Sequence, residues 1–192
     1  MVNIKVDIKN NYIWNKTKLA SGSVLYFAGF VYWKKHFYNT NNIAELFESI
    51  EVGKEILQEL RGDFSFIYLS KEQTFAAVDR KRSLPLFYFV NGNEWTISDK
   101  VSTGLSKEID PVSVNEFIIT GYTANDRTLL KGVNQLEAGQ FLKIIDNDLQ
   151  KDWYFRFYHS PEEITIEEAT LELEKVFHRT FSKLYERVKD KS

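Results

Sequence analysis

The nine residues LYFAGFVYW, Leu25 to Trp33, constrain the fold of this chain more than any other stretch. Every side chain in the run is apolar or aromatic, and a strand of that kind is buried on both faces. The sequence therefore predicts a central strand in a layered fold. Gly29 interrupts the run, and a glycine inside a strand marks a bulge, a close backbone approach or the remnant of a polar site. Aromatic residues are 15% of the chain. They cluster in short alternating runs, which suits sheets.

Around that strand the pattern is regular. NIKVDIK alternates with period two, and Asn10-Asn11 offers a turn before YIWNK. Ser21 to Ser23 punctuates. Ile43, Leu46, Phe47 and Ile50 fall at helical spacing, and Ile56, Leu57 and Leu60 repeat the stripe after Gly53. This predicts two short helices, or one broken by that glycine. Phe64, Phe66 and Tyr68 then alternate, SKEQ turns the chain, and Phe75 to Val78 returns. A second hairpin is expected around Asn91-Gly92.

After Asp110-Pro111 the pattern becomes helical, with Ser113 and Glu116 as a capping box and Gly121 at the exit. QLEAGQFLKII and KDWYFRF make another strand pair, turning at Asp146 to Asp148. The last segment, 165–189, predicts an amphipathic helix. Thr165 can cap it, and Glu167 and Glu168 favour its N-terminus. Its apolar stripe (Ala169, Leu173, Val176, Phe177, Phe181, Leu184, Val188) needs a partner.

Composition removes several functions. The chain has no cysteine, which excludes disulfides, thiolate metal ligands and a cysteine nucleophile within it. Net charge is −2, and Arg80 to Arg82 is the largest basic cluster, so no nucleic-acid partner is expected. No run approaches the roughly 20 apolar residues of a membrane span, and the N-terminus lacks a signal-peptide core. A cytoplasmic protein without membrane contact is the expectation. His36, His159 and His178 show no ligand spacing, so no metal site is expected. Neither a GxSxG elbow, a phosphate loop nor a dinucleotide fingerprint occurs. The RGD at Arg61 to Asp63 reads as a turn into a strand.

A linear series of landmarks, from about Leu57 to Tyr154, resembles the glutaminase domain of asparagine synthetases. The family's L-x-G-x-F-A-F strand matches Leu60, Gly62, Phe64 and Phe66. Its R-D-x-x-G-x-x-P-L-Y-Y segment matches Asp79, Arg80, Pro85, Leu86 and Tyr88. Ser98 and Asp99 stand in the F-A-S-E-x-K motif. Phe117, Gly121, Tyr122, Thr128, Gly132, Val133, Leu136 and Gly139 follow the helix, the G-Y exit and the T-x-x-x-G-V-x-x-L-P-P-G turn. Trp153-Tyr154 falls where the family often has a similar pair.

The resemblance implies an α+β fold of N-terminal-nucleophile hydrolase type. That is a four-layer αββα sandwich of two antiparallel sheets, shortened here at the N-terminus. It implies a glutaminase-like domain over 1–158 and an amphipathic linker over 161–192. The linker leads toward an ATP-pyrophosphatase (synthetase) domain, in the same chain or separate. ATP and magnesium would belong to that domain, and no cofactor is expected for this one.

The family's chemistry is missing from the matching positions. Working members begin with a cysteine whose thiolate attacks the glutamine amide, whereas this chain begins Met1-Val2 and its first serine or threonine is Thr17. The R-G-P-D segment is also missing. N-G-E-I-Y-N aligns with AGFVYW, so Ala28 replaces the asparagine, Phe30 replaces the glutamate, and Gly29 is kept. The D-x-E that grips the glutamine amino group aligns with Asn41 to Ile43. Gly62, Asp79, Arg80, Pro85, Ser98, Gly121 and Gly139 are retained. The expectation is a non-catalytic glutaminase-like domain that scaffolds a synthetase domain or pairs with a second copy through helix 165–189. The alternative is a ligand- or protein-binding module on the inactive fold.

Overall fold

Alternation along the strands sorts their side chains into two buried layers, as a computed structural model describing residues 3–102 and 104–188 shows. The chain runs through β1 (Asn3–Asp7), β2 (Trp14–Lys18), β3 (Val24–Trp33) and β4 (His36–Asn39) into helices α1 (Ile43–Ser49) and α2 (Lys54–Glu59). Two hairpins follow: β5 (Arg61–Leu69) with β6 (Thr74–Val78), and β7 (Phe87–Asn91) with β8 (Glu94–Ser98). Then come α3 (Pro111–Thr120), β9 (Val133–Gln135), β10 (Gln140–Ile145), β11 (Asp148–Trp153) and α4 (Ile166–Val188). Residues 1–156 form one compact unit and residues 157–192 another.

The larger sheet has the order β11-β10-β6-β5-β3-β2, with β4 on the far half of β3, and the smaller is β1-β8-β7-β9. Leu25, Phe27 and Val31 of β3 pack with Phe64, Phe66 and Phe75 against Ile43, Leu46, Phe47 and Leu57 of the two short helices. Ala28 of the same strand joins Ile67, Ala76, Val78 and Leu142 against Tyr88, Trp95 and Ile97 of the smaller sheet. So β3 is buried on both faces, as its composition predicts. Each large side chain removed from water stabilises by about 1.5–3 kcal/mol. A file of rings, Phe47–Phe66 at 4.9 Å, Phe66–Phe75 at 6.1 Å and Phe75–Phe141 at 5.1 Å, ties α1 to three neighbouring strands.

The expected hairpins form. Ser70 N–H donates to the Gln73 carbonyl at 2.9 Å to close β5–β6. Asp146 and Asn147, both at positive φ, close β10–β11. Gly53 separates α1 from α2 and caps the second.

Two details differ from the sequence reading. First, the sheets are not wholly antiparallel, because β1 pairs with β8 in parallel and does not return through Asn10-Asn11 beside β2. Side chains at the end of β8 and just past it hold it there: Ser98 Oγ–H donates to the Asp7 carbonyl at 2.7 Å, and the Asp99 carboxylate accepts from Lys9 N–H at 2.7 Å and Asn10 N–H at 3.0 Å. Second, Ser113 and Glu116 do not cap α3. Asp110 does, accepting from Val112 N–H at 2.9 Å, with Pro111 in the first turn where no N–H is needed. Ser113 is buried, and Glu116 instead pairs with Arg127 and accepts from Ala124 N–H at 3.1 Å.

Within the second unit, α4 carries a capping box. Thr165 N–H donates to Glu168 at 2.9 Å and Glu168 N–H donates to Thr165 Oγ1 at 3.2 Å. Phe177 and Phe181 stack at 5.9 Å along its apolar stripe. Val188, the last member of the expected stripe, has a side chain outside the described residues, as does residue 189. Among the described residues no helix is long and apolar enough to cross a membrane.

Gly29 is explained by the strand beside it. Its φ is +92°, and a Cβ there would lie 2.0 Å from the Asp63 carbonyl oxygen of β5. Gly62 answers it from β5, at φ +146°, where a Cβ would lie 2.3 Å from the Phe30 carbonyl oxygen of β3. The two backbones approach so closely that neither position accepts a side chain. Gly29→Ala is expected to cost more than about 3 kcal/mol in urea unfolding. The control Gly22→Ala, at φ +84° in open space, should cost only about 1–2 kcal/mol. Equal losses for the two would show that conformation alone matters.

Candidate functional site

The crossing of β3 and β5 positions the residues aligned with the glutamine pocket. Ala28 lies opposite Trp14 of β2 and Ser65 of β5, fully buried. Its methyl belongs to the layer between the sheets. Phe30 lies opposite Asn39 of β4 and Asp63 of β5, and its ring stacks on Phe37 at 5.8 Å and meets Tyr32 edge-on at 6.0 Å. The polar atoms expected of a glutamine pocket are thus replaced by hydrocarbon at both positions.

Asn41 sits two residues beyond the Phe30 partner Asn39, so the fold brings 28–30 and 41 to one region. Asn41 N–H donates to Asn39 Oδ1 at 2.9 Å, Asn39 N–H donates to Asn42 Oδ1 at 2.8 Å, and Asn42 Nδ2 donates to the Phe37 carbonyl at 3.2 Å. These amides close a turn on itself. Ile43, aligned with the second acid of the motif, is core at 1% exposure. The nearby carboxylate, Asp63, is held by Lys81 at 2.7 Å, and that bond raises the lysine pKa above its ordinary value. No amide donor, carboxylate or nucleophile stands on the inward face of β3 at 28–30.

The retained motif residues hold backbone. Asp79 is fully buried and accepts from the N–H groups of Lys81 at 2.8 Å, Ser83 at 2.9 Å and Phe64 at 3.3 Å. Its carbonyl accepts from Gly139 N–H at 3.0 Å, and the Gly139 carbonyl accepts from Tyr154 N–H at 2.9 Å. Tyr154 O–H then donates to the Val78 carbonyl at 2.8 Å, and burial raises the phenol pKa. Arg80 lies over the Phe155 ring at 4.5 Å and donates to the Gln58 carbonyl at 2.9 Å; burial, then the neighbouring Arg61, lowers its pKa. Pro85 follows Leu84, whose carbonyl accepts from Ser65 Oγ. Ser98 anchors β1, and Gly121 ends α3 in the left-handed conformation, donating to Phe117 at 2.8 Å. Among these, Gly62 lies at the 28–30 crossing, and Asp79 reaches it through Phe64, the residue opposite Gly29.

Two features were not read from the sequence. Tyr88, Asp126 and Lys151 form a partly buried network, with Lys151 Nζ 3.0 Å from the Tyr88 oxygen, Tyr88 3.2 Å from Asp126, and Lys151 ion-paired to Asp126. The signal was available: Lys151 occupies an inward position of β11, between Leu149 and Trp153. The second is Arg82, held at φ +56°. Counted back from Pro85, it fills the glycine slot of the R-D-x-x-G-x-x-P pattern. Among the described residues no group of three or more His, Asp or Glu side chains converges on a metal position.

A family profile described as a glutamine amidotransferase domain matches residues 33–155, nearly two-thirds of the chain. The chain belongs to that family. Among solved structures it is similar to the glutamine phosphoribosylpyrophosphate amidotransferase from B. subtilis complexed with ADP and GMP, at 15% identity and a TM-score of 0.43 over 73% of this chain and 31% of that one. A structure described as the allosteric regulatory enzyme of purine biosynthesis is similar at 15% identity and a TM-score of 0.42, over 73% and 30% of the two chains. The matched region thus spans about a third of the length of those proteins. No curated protein matches the chain.

The network sets a pH dependence. Burial raises the Asp126 pKa, but bonds from Lys151 and Tyr88 outweigh it and leave the carboxyl below its ordinary value. Burial opposes the charge on Lys151, and its bonds to Asp126 and Tyr88 leave its pKa raised. Burial raises that of Tyr88. The Asp126 contribution is complete above the unfolded value of about 3.9 and fades as pH falls through the lower folded value. The Lys151 and Tyr88 contributions are complete below about pH 10 and fade as pH rises beyond it. Asp126→Asn should lose about 1–2 kcal/mol at neutral pH. Chemical unfolding at several pH values checks this, because the gap from wild type should close once the pH drops below the carboxylate range.

Proposed function

We propose that this glutamine amidotransferase domain does not hydrolyse glutamine. It serves as scaffold for the ATP-pyrophosphatase (synthetase) domain of an asparagine synthetase-like amide-forming system, in the same chain or as a separate subunit. The observation that carries the reading is Ala28, whose methyl is sealed between the sheets where the aligned asparagine amide would donate to the oxyanion. Losing one such donor costs roughly a hundredfold to a thousandfold in rate. Phe30 in the glutamate slot and the uncharged Asn41 remove the groups that would hold the substrate.

The domain's remaining contribution is positional. The Asp79 and Gly139 backbone network keeps the larger sheet and the 153–155 strand exit together, and α4 offers an apolar stripe to the synthetase domain. ATP and magnesium serve that domain, which activates a carboxylate for attack by an amine or ammonia. The resemblance of the motif series from Leu57 to Tyr154 supports the asparagine synthetase-like assignment.

With L-glutamine as substrate, a coupled assay for ammonia is expected to read no release above buffer. Release that Ala28→Trp abolishes would belong to this chain and overturn the reading. The scaffold half predicts co-purification with a domain carrying S-G-G-x-D-S. That association should be lost in Phe177→Asp/Phe181→Asp, and survival of the association would remove α4 from the account.

A further inference from the structure

The first unit contains a cavity of about 660 Å³ away from β3, walled by Phe87, Phe117, Tyr122 and Leu129 with Lys81 and Arg82 among its lining. That volume lies within the range of small-molecule sites. Its two cations differ. Lys81 is committed to Asp63 at 2.7 Å. Among the described residues no hydrogen bond or ion pair reaches the Arg82 guanidinium, and its Nε is buried without a partner. The ring of Phe87 lies 5.8 Å beneath it, and Glu137 acts on it only through space.

Arg82 also sits at φ +56°, where a non-glycine residue costs roughly 1–2 kcal/mol. Two costs therefore fall on one residue, a strained backbone and a half-buried cation with no counter-ion among the described residues. Residues carrying such costs concentrate at ligand sites. A guanidinium fork matches a carboxylate through two parallel bonds. A doubly charged phosphate fits less well, since Lys81 is already paired and Glu137 is close.

We propose that this cavity binds a small carboxylate with an apolar or aromatic body. The carboxylate meets the Arg82 guanidinium, and the body lies against Phe87, Phe117 and Tyr122. This site is separate from residues 28–30 and does not depend on the scaffold reading.

The probe is 3-phenylpropanoate, with its uncharged amide as control, titrated into the whole chain by calorimetry and by amide chemical shifts. Saturable binding of the acid is expected, with shifts at Phe117 and Tyr122, and the amide should bind roughly tenfold more weakly or worse. Arg82→Gly should lose acid binding by a similar factor while melting no lower than wild type, because glycine relieves the left-handed strain. Phe117→Ala, at an exposed helix position, supplies a second variant and should weaken both probes. No saturable binding by wild type, equal affinity for acid and amide, or full binding by folded Arg82→Gly would each overturn the proposal.

Discussion

Two chains of backbone cross at Gly29 and Gly62 with no room for a Cβ on either, and much of the molecule is arranged by that contact. It places β3 against β5 with the register Gly29–Phe64 and Val31–Gly62. From that register follows which side chains of β3 face the helices and which face the second sheet. Leu25, Phe27 and Val31 go one way and Ala28 goes the other. The glycine is therefore a steric requirement of the sheet, independent of any chemistry beside it. This explains how Gly29 can persist between an alanine and a phenylalanine.

The family's motif residues separate into two physical groups. Asp79, Gly139, Gly62 and Ser98 satisfy buried backbone or allow close approach, and losing one leaves donors or acceptors stranded away from water. Ala28, Phe30 and Asn41 occupy the positions that the resemblance aligns with the polar and charged side chains of a glutamine pocket. In this chain those places are filled by a methyl, a stacked ring and a self-bonded turn. On the proposed reading, fold and catalysis rest on different residues, and one set can change while the other is held.

Much of this was legible in the amino-acid sequence because alternation reports burial. The double burial of β3, the returns after Ser70–Gln73 and Asp146–Asn147, and the break at Gly53 all rest on local chemistry. What a strand pattern does not report is its partner. NIKVDIK fixes which side chains point inward, but its parallel pairing with β8 depends on Ser98 and Asp99, some ninety residues away. The α3 cap was misplaced for a related reason: Ser113 and Glu116 have the right spacing, but Asp110-Pro111 satisfies the first turn sooner. Arg82 and the Tyr88–Asp126–Lys151 network were missed because their character lies in backbone conformation and in contacts between distant segments. The positions aligned with the glutamine pocket could be named from sequence, whereas the sealing of Ala28 between the sheets, the stacking of Phe30 and the closed turn at Asn41 needed the fold.

The central claim is that the region of Gly29 no longer recognises glutamine. The most direct measurement is a titration of the isotopically labelled chain with L-glutamine, following the backbone amides of residues 28–30 and 41. The account predicts that these signals stay in place up to saturating concentrations. A saturable shift centred on Ala28, Gly29 and Phe30 would contradict it.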